Sequence, residues 1–164
     1  MICSEVYIGF GSNMGDRRAN CLAGLHLMAE KGAWRLLSVS PLYLTEPVDY
    51  LDQDWFVNGA ARVETDLEPL ALLGEMKETE RVLGRDVNGV RFGPRPLDMD
   101  ILFFGNLVRE GPDLEIPHPR LHKRRFVLLP LCDIAPKLVH PILGTAVDRL
   151  VAELSPDEQE VRPL

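Results

Sequence analysis

Two carboxylates stand at strand spacing near the middle of the chain, directly after a loop that carries arginines. Asp98 and Asp100 are separated by Met99 alone, so in a β-strand they share one face, with Cα atoms about 6.5 Å apart. Acids that close repel each other, and divalent cations such as Mg²⁺, which prefer carboxylate oxygen, relieve the repulsion. Arg91 and Arg95 lie just upstream and suit phosphate oxygens. The pattern favours metal-assisted phosphoryl or pyrophosphoryl transfer.

A plainer interpretation of this acidic pair is that one aspartate caps a turn while the other pairs with Arg95. The sequence offers no Ser-His or Cys-His nucleophile pattern and no Walker A lysine motif, and a glycosidase acid pair would leave the arginines unexplained. The glycines Gly9, Gly11 and Gly15 depart from the GxGxxG spacing of dinucleotide-binding turns. Metal-assisted transfer to or from a phosphate therefore remains the better hypothesis.

Composition bounds the class of protein. The chain has 164 residues, 46% of them hydrophobic, which predicts one domain over 1–164. A formal charge of -7 argues against a general nucleic-acid or anionic-membrane partner, and no obligate protein partner is predicted. No apolar run approaches the ~20 residues that span a bilayer. The three cysteines are dispersed without metal or disulfide spacing, which favours a reducing cytoplasm.

The hydrophobic periodicity predicts strands and helices in the order β-α-β-β-α-β. This order indicates an α+β, ferredoxin-like sandwich, in which helices pack on a mostly antiparallel sheet. A final helix is expected over 145–154, and the charged, proline-rich residues 155–164 are expected to fray. The main elements are predicted as a strand over 5–10, a helix over 16–31, a strand over 34–43, a strand over 56–64, a helix from 66 or 68 to 84, the acidic strand from 98, and a helix over 120–131.

Several motifs together strongly resemble the 6-hydroxymethyl-7,8-dihydropterin pyrophosphokinases of folate biosynthesis. The resemblance implies transfer of the β,γ-diphosphate of ATP to the pterin hydroxymethyl group, with two Mg²⁺ ions, giving AMP and the pterin diphosphate. The motifs cover most of the chain in order, and the GPR-x-LD-x-D core is the most specific of them. They are Gly9-Phe10-Gly11-Ser12-Asn13, Tyr43-Leu44-Thr45-Glu46-Pro47, Phe56-Val57-Asn58, Gly84-Arg85, the run from Arg91 to Ile101, and Ile116-Pro117-His118-Pro119.

Carried over by position, the resemblance assigns roles to residues of this chain. Asp98 and Asp100 would bind the two Mg²⁺ ions, and Arg85 and Arg95 would engage the moving phosphoryl groups. The nucleotide would contact Lys77, Glu80, Ile101, His118 and Arg124. The pterin would stack between Phe92 and Phe126, with its edge and surroundings formed by Thr45, Glu46, Val48, Phe56 and Asn58.

Two other functions remain open on the residues alone. A metal-dependent phosphohydrolase or nuclease would use the same acids and arginines, and a catalytically weak nucleotide-binding module would bind ATP without forming AMP. The resemblance also implies that the loop over 84–96 closes over both substrates and excludes water. Pterin-dependent AMP formation distinguishes the three.

Overall fold

The computed structural model describes residues 3–84 and 93–164. In these two ranges the chain forms six strands, four α-helices and a 3-10 turn over Leu121–Lys123. The strands are β1 Ser4–Ser12, β2 Arg35–Val39, β3 Tyr43–Thr45, β4 Phe56–Thr65, β5 Asp98–Phe104 and β6 Val161–Pro163. The helices are α1 Arg17–Glu30, α2 Pro69–Val82, α3 Arg125–Ile134 and α4 Val147–Glu153.

All six strands join one antiparallel sheet. The order across it is β5-β1-β4-β3-β6, and β2 pairs with the part of β4 that β3 leaves free. Strand β4 is long enough to serve both partners, pairing with β3 over 56–58 and with β2 over 61–64. The predicted α+β sandwich of the ferredoxin-like kind is confirmed.

Helices cover both faces of the sheet. On one face, Ile8 and Val63 of the sheet pack with Leu25 of α1 and Met76 of α2 in a single buried cluster. On the other face a second cluster joins sheet residues to α3 and α4, and it includes Tyr7, Ala60, Phe103, Leu128, Leu131 and Leu150. Because side chains alternate along each strand, the sheet feeds both clusters with apolar residues.

The helix boundaries follow local signals in the sequence. The carboxylate of Asp16 accepts a hydrogen bond from the Ala19 amide at 3.1 Å, which caps α1, and Gly32 follows with a positive φ of 75°. Helix α2 begins at Pro69, and Gly84 ends it with a φ of 98°. Both helices are confirmed close to their predicted ends.

Three sequence expectations need correction. The single strand over 34–43 is two strands, since Pro41 lacks the amide that a continuous ladder needs. The helix over 120–131 is a 3-10 turn followed by α3, which continues past Pro130. The C-terminal residues do not all fray, because β6 pairs with the edge of β3.

No helix within residues 3–84 and 93–164 is long and apolar enough to cross a membrane.

Candidate active site

A row of facing residues crosses four strands on the side of the sheet where α3 begins. Asp98 of β5 pairs with Gly11 of β1, Gly11 pairs with Asn58 of β4, and Asn58 pairs with Tyr43 of β3. Two residues further along β5, Asp100 pairs with Gly9 of β1. Because the two glycines have no side chains, the backbone of β1 is uncovered between the two aspartates and the Asn58 side chain. This uncovered part of the sheet is called the floor of the site.

The side chain of Asn58 occupies the space that a larger residue at Gly11 would take. A Cβ at Gly11 would lie 2.1 Å from Asn58 Oδ1, far inside van der Waals contact. The Asn58 amide donates to Thr45 Oγ1 at 2.6 Å, and both residues are buried. Asn58 is therefore held in one orientation by the glycine beside it and by the threonine hydroxyl.

Above this floor lies a cavity of about 480 Å³, counting the part that is open to solvent. Ten of the residues predicted to contact substrate or metal line it: Thr45, Glu46, Val48, Phe56, Asn58, Arg95, Asp98, Asp100, Arg124 and Phe126. Four separate stretches of the chain thus meet in one place.

Two arginines lie over two aromatic rings of the cavity. The Arg95 guanidinium carbon is 5.4 Å from the centre of the Phe56 ring, and that of Arg124 is 5.4 Å from the centre of the Phe126 ring. Such cation–π contacts orient the guanidinium groups without using their hydrogen-bond donors. The donors remain available for an anionic ligand.

Both arginines of the cavity lie near acidic side chains at its β5 end. Arg95 Nε lies 3.7 Å from Asp98 Oδ2 and has no hydrogen-bond partner among the described residues, and Arg124 lies 4.0 Å from Asp49. Burial raises the pKa of Asp100, and the negative charges of Asp98 and Glu80 raise it further. A divalent cation placed between the two aspartates would lower that pKa and relieve their repulsion.

The two carboxylates suit Mg²⁺ if the protein supplies only some of the ligands of the ion. Within the described ranges no group of three or more histidine, cysteine or acidic side chains could hold a metal. If Mg²⁺ binds here, Asp98 and Asp100 would supply the carboxylates, and the remaining positions would fall to water and substrate oxygens. That division is usual for Mg²⁺ bound with phosphates.

Asn13, which the sequence analysis did not select, positions Arg95. Its side-chain Oδ1 accepts from the Arg95 backbone amide at 2.8 Å, and the Asn13 backbone amide donates to the Arg95 carbonyl at 3.1 Å. The side-chain nitrogen of Asn13 also bonds Gln53 Oε1 at 2.8 Å and the Asp54 carbonyl at 3.1 Å. One buried amide thus joins β1 to the loops before β4 and β5.

Four predicted nucleotide contacts lie outside the cavity. Lys77 is exposed on α2, whereas Glu80 is 6% exposed and accepts from the Met99 amide of β5 at 2.7 Å. The Ile101 side chain is buried in the cluster beneath α1 and α2, on the face opposite Asp98 and Asp100. A contact between Ile101 and a nucleotide would therefore have to use its main chain.

His118 is the fourth of these residues. Burial, together with the positive charges of Arg124 and Arg120, lowers the pKa of His118 from 6.5 to about 4. Its Nδ1 accepts from the Arg120 amide at 3.1 Å, which leaves the other ring nitrogen to carry the proton of the neutral ring. At neutral pH His118 can thus donate one hydrogen bond without carrying charge.

Two predicted residues, Arg85 and Phe92, lie outside the described ranges, as does most of the loop expected to close over the substrates.

Three residues that the sequence analysis did not assign also line the cavity: Gly11, Asp49 and Gln159. Gly11 could have been found from the strand pattern, since a glycine within a buried strand often marks a close approach. Asp49 has a positive φ of 65° in the loop before β4, and Gln159 comes from the segment expected to fray. Neither carries a local signal that points to the site.

Comparison with known proteins gives a consistent result. A sequence model described as 7,8-dihydro-6-hydroxymethylpterin-pyrophosphokinase (HPPK) matches residues 7–136. The 2-amino-4-hydroxy-6-hydroxymethyldihydropteridine pyrophosphokinase of Pseudomonas aeruginosa is 43% identical over 137 residues, which cover 84% of this chain and 84% of that protein. Folic acid synthesis protein FOL1 of Dictyostelium discoideum is 44% identical over 149 residues, covering 91% of this chain.

The Dictyostelium protein is much longer, and the aligned region spans 22% of it. Among solved structures, wild-type Plasmodium falciparum HPPK-DHPS with pteroate superposes with a TM-score of 0.71 at 16% identity, over 93% of this chain and 42% of that one. At that identity the superposition supports the fold alone.

Proposed function

This chain belongs to the 7,8-dihydro-6-hydroxymethylpterin-pyrophosphokinase family, and we propose that it transfers the β,γ-diphosphate of ATP to the hydroxymethyl group of 6-hydroxymethyl-7,8-dihydropterin in folate biosynthesis. The products are AMP and the pterin diphosphate. One observation carries the proposal: a single cavity is lined by two aromatic rings and a buried asparagine amide at one end, called the neutral end, and by Asp98, Asp100 and two arginines at the other, the charged end.

At the neutral end, the pterin packs against the rings of Phe126 and Phe56. Its amide-like edge is read by Asn58, whose orientation is fixed, and by the backbone of Thr45 and Val48. Glu46 lies between these two and places that backbone, since its own amide and carbonyl are bonded to Glu160 and Gln159. Flat heteroaromatic rings favour such apolar walls, and an asparagine amide matches a donor beside an acceptor. Stacking on Phe92 from the opposite side remains a prediction.

At the charged end, Asp98 and Asp100 would hold the two Mg²⁺ ions that the reaction is proposed to use. When bound, Mg²⁺ neutralises phosphate charge and lowers the pKa of the attacking hydroxyl. Arg95 and Arg124, held over their aromatic rings, donate to phosphoryl oxygens. Arg85 is proposed to act with them.

The remaining nucleotide contacts are proposed with different support. His118 donates to phosphate from its free ring nitrogen, since its neighbours Arg124 and Asp98 already belong to the charged end. Lys77 is exposed and free to reach the nucleotide. The carboxylate of Glu80 accepts a hydrogen bond from the Met99 amide of β5, so we propose that Glu80 holds the acidic strand in place. Ile101 would contact adenine through its main chain, because its side chain is buried.

In the chemical step, the pterin hydroxyl oxygen attacks the β-phosphorus of ATP. A new oxygen–phosphorus bond forms, the bond from that phosphorus to the oxygen shared with the α-phosphate breaks, and the hydroxyl proton is released. Arg95 stabilises charge on the transferring group, and the fixed Asn58 and Phe126 keep the hydroxyl aligned with the phosphorus. Positioning and charge neutralisation supply the rate in such reactions.

The test is an incubation with ATP, Mg²⁺ and the hydroxymethyl dihydropterin. AMP that forms only when the pterin is present, in equal amount to pterin diphosphate, supports the proposal. Orthophosphate released without pterin would show a phosphohydrolase instead. ATP binding without AMP would show a nucleotide-binding module.

We also propose that the protein works in a reducing cytoplasm. Cys3, Cys21 and Cys132 are all free thiols. A chain that folds with three unpaired cysteines suits a compartment that keeps thiols reduced.

A further inference from the structure

Gln159 is buried in a segment whose neighbours are exposed. Its side chain is 6% exposed, although Glu158 before it and Glu160 after it lie at the surface. A polar side chain buried this close to a chain end needs a hydrogen-bond partner and a reason to be inside. Gln159 has both, because it lines the pterin end of the cavity and bonds the loop that forms its wall.

Three hydrogen bonds join this segment to Glu46. Gln159 Nε2 donates to the Glu46 carbonyl at 2.5 Å, the Glu46 amide donates to the Glu160 carbonyl at 2.9 Å, and the Glu160 amide donates to the Glu46 carboxylate at 2.9 Å. Glu46 lies just beyond the end of β3 and is engaged through its amide, its carbonyl and its side chain. The backbone at this point of the cavity wall is therefore fixed from the C-terminal side.

The Gln159 side chain is only one of several contacts that anchor the C-terminal segment to the rest of the protein. Strand β6 is also anchored by its ladder with β3, by the Leu164 amide bonding the Leu42 carbonyl at 3.0 Å, and by Arg162 over the Trp55 ring at 5.2 Å. Loss of the Gln159 amide removes one bond and leaves these in place. The consequence should fall on the wall of the cavity.

We propose that Gln159 is a positioning residue for the pterin: by holding the Glu46 carbonyl it fixes the main chain over 45–48 in the arrangement that receives the pterin edge. The inference rests on the proposed function of the cavity. It assigns part of the pterin site to the C-terminal segment, 113 residues after Glu46. Because the ATP phosphates occupy the other end, Gln159 acts on pterin binding and not on ATP binding.

Two variants remove the donor in different ways. Gln159→Leu keeps the bulk without any polar group, and Gln159→Glu keeps the shape but sets a carboxylate against the Glu46 carbonyl. Glu158→Gln, at the exposed neighbouring position, is the matched control. For each, KM for pterin, KM for ATP, kcat and melting temperature are measured, together with pterin binding by calorimetry.

We expect KM and Kd for pterin to rise about five- to tenfold in both Gln159 variants, as for one lost hydrogen bond, with the larger effect in Gln159→Glu. KM for ATP, kcat and the melting temperature should stay near wild type, and Glu158→Gln should be unaffected. Unchanged pterin affinity, an equal rise in both KM values, or loss of folding in both variants would overturn the inference. A wild-type protein without pterin-dependent AMP would instead overturn the proposed function.

Discussion

The two ends of the cavity differ in how their polar groups are satisfied. At the pterin end, Asn58 bonds Thr45 at 2.6 Å and Gln159 bonds Glu46 at 2.5 Å. At the phosphate end, Arg95 Nε lies 3.7 Å from Asp98 Oδ2, beyond hydrogen-bond range. Hydrogen bonds within the protein organise the first end, whereas the second gathers charged groups that a metal and phosphates would meet.

This difference separates binding from chemistry. Groups already bonded to each other select a ligand by shape and edge pattern, since a mismatched ligand leaves them unpaired. Charged groups gathered in one place act most strongly on a charged ligand, which favours stabilisation of charge in the transition state. Changes at the two ends should therefore have different kinetic consequences.

The largest effect is expected at the acids. Asp98→Asn and Asp100→Asn should each lower turnover by about two to four orders of magnitude, because each removes a carboxylate that holds Mg²⁺. The melting temperature without ligands should be unchanged or higher in Asp100→Asn, since a carboxylate whose pKa is raised by burial becomes neutral. AMP formation and thermal unfolding measure the two effects. Near-normal AMP formation by either variant would refute the metal assignment.

The next effect should separate chemistry from pterin binding. Arg95→Ala should reduce kcat by about a hundredfold, while the Kd for pterin changes only a few-fold, because Arg95 meets charge at the phosphate end. Arg35→Ala is the control, since Arg35 of β2 forms an ion pair with Glu64 of β4 away from the cavity. Steady-state kinetics and calorimetry give both quantities. An unchanged kcat in Arg95→Ala would remove the distinction between the two ends.

A smaller effect should appear at the floor of the pterin end. Gly11→Ala would place a methyl group 2.1 Å from Asn58 Oδ1, so the amide must move and the Kd for pterin should rise about tenfold or more. Gly74→Ala on α2 is the control, because a Cβ there meets nothing within 4 Å and should stabilise the helix by about 0.5–1 kcal/mol. Equal pterin affinity in both variants would contradict the role of Gly11.

The smallest effect concerns pH and stability. The pKa of His118 is lowered to about 4, so as the pH falls the unfolded chain is protonated first. The contribution of His118 is intact above about pH 6.5 and should be lost as the pH falls from there towards 4, by about 1–2 kcal/mol near pH 5. His118→Asn keeps an acceptor for the Arg120 amide and should show a smaller loss. Urea unfolding of both proteins at pH 7 and pH 5 without Mg²⁺ tests this. An equal loss of unfolding free energy in wild type and His118→Asn would contradict it.

Much of the site could be predicted from short motifs and strand alternation. Asp98 and Asp100 share a face because alternation is a local property of any strand, and ten predicted residues line one cavity. The same alternation sends the Ile101 side chain to the face opposite the acids, and its predicted contact with the nucleotide stays a prediction. Sequence motifs indicate which residues matter without indicating whether the side chain or the main chain is used.

By itself, the sequence determined the ends of α1 and α2, the acidic strand and the family, because caps, prolines and alternation act over a few residues. Only the tertiary structure decided that Gly11 lies between Asp98 and Asn58, that Glu80 bonds β5, and that Gln159 reaches the cavity. Those relations join segments tens of residues or more apart. Strand register and packing on two helical layers set them, and no local pattern encodes either.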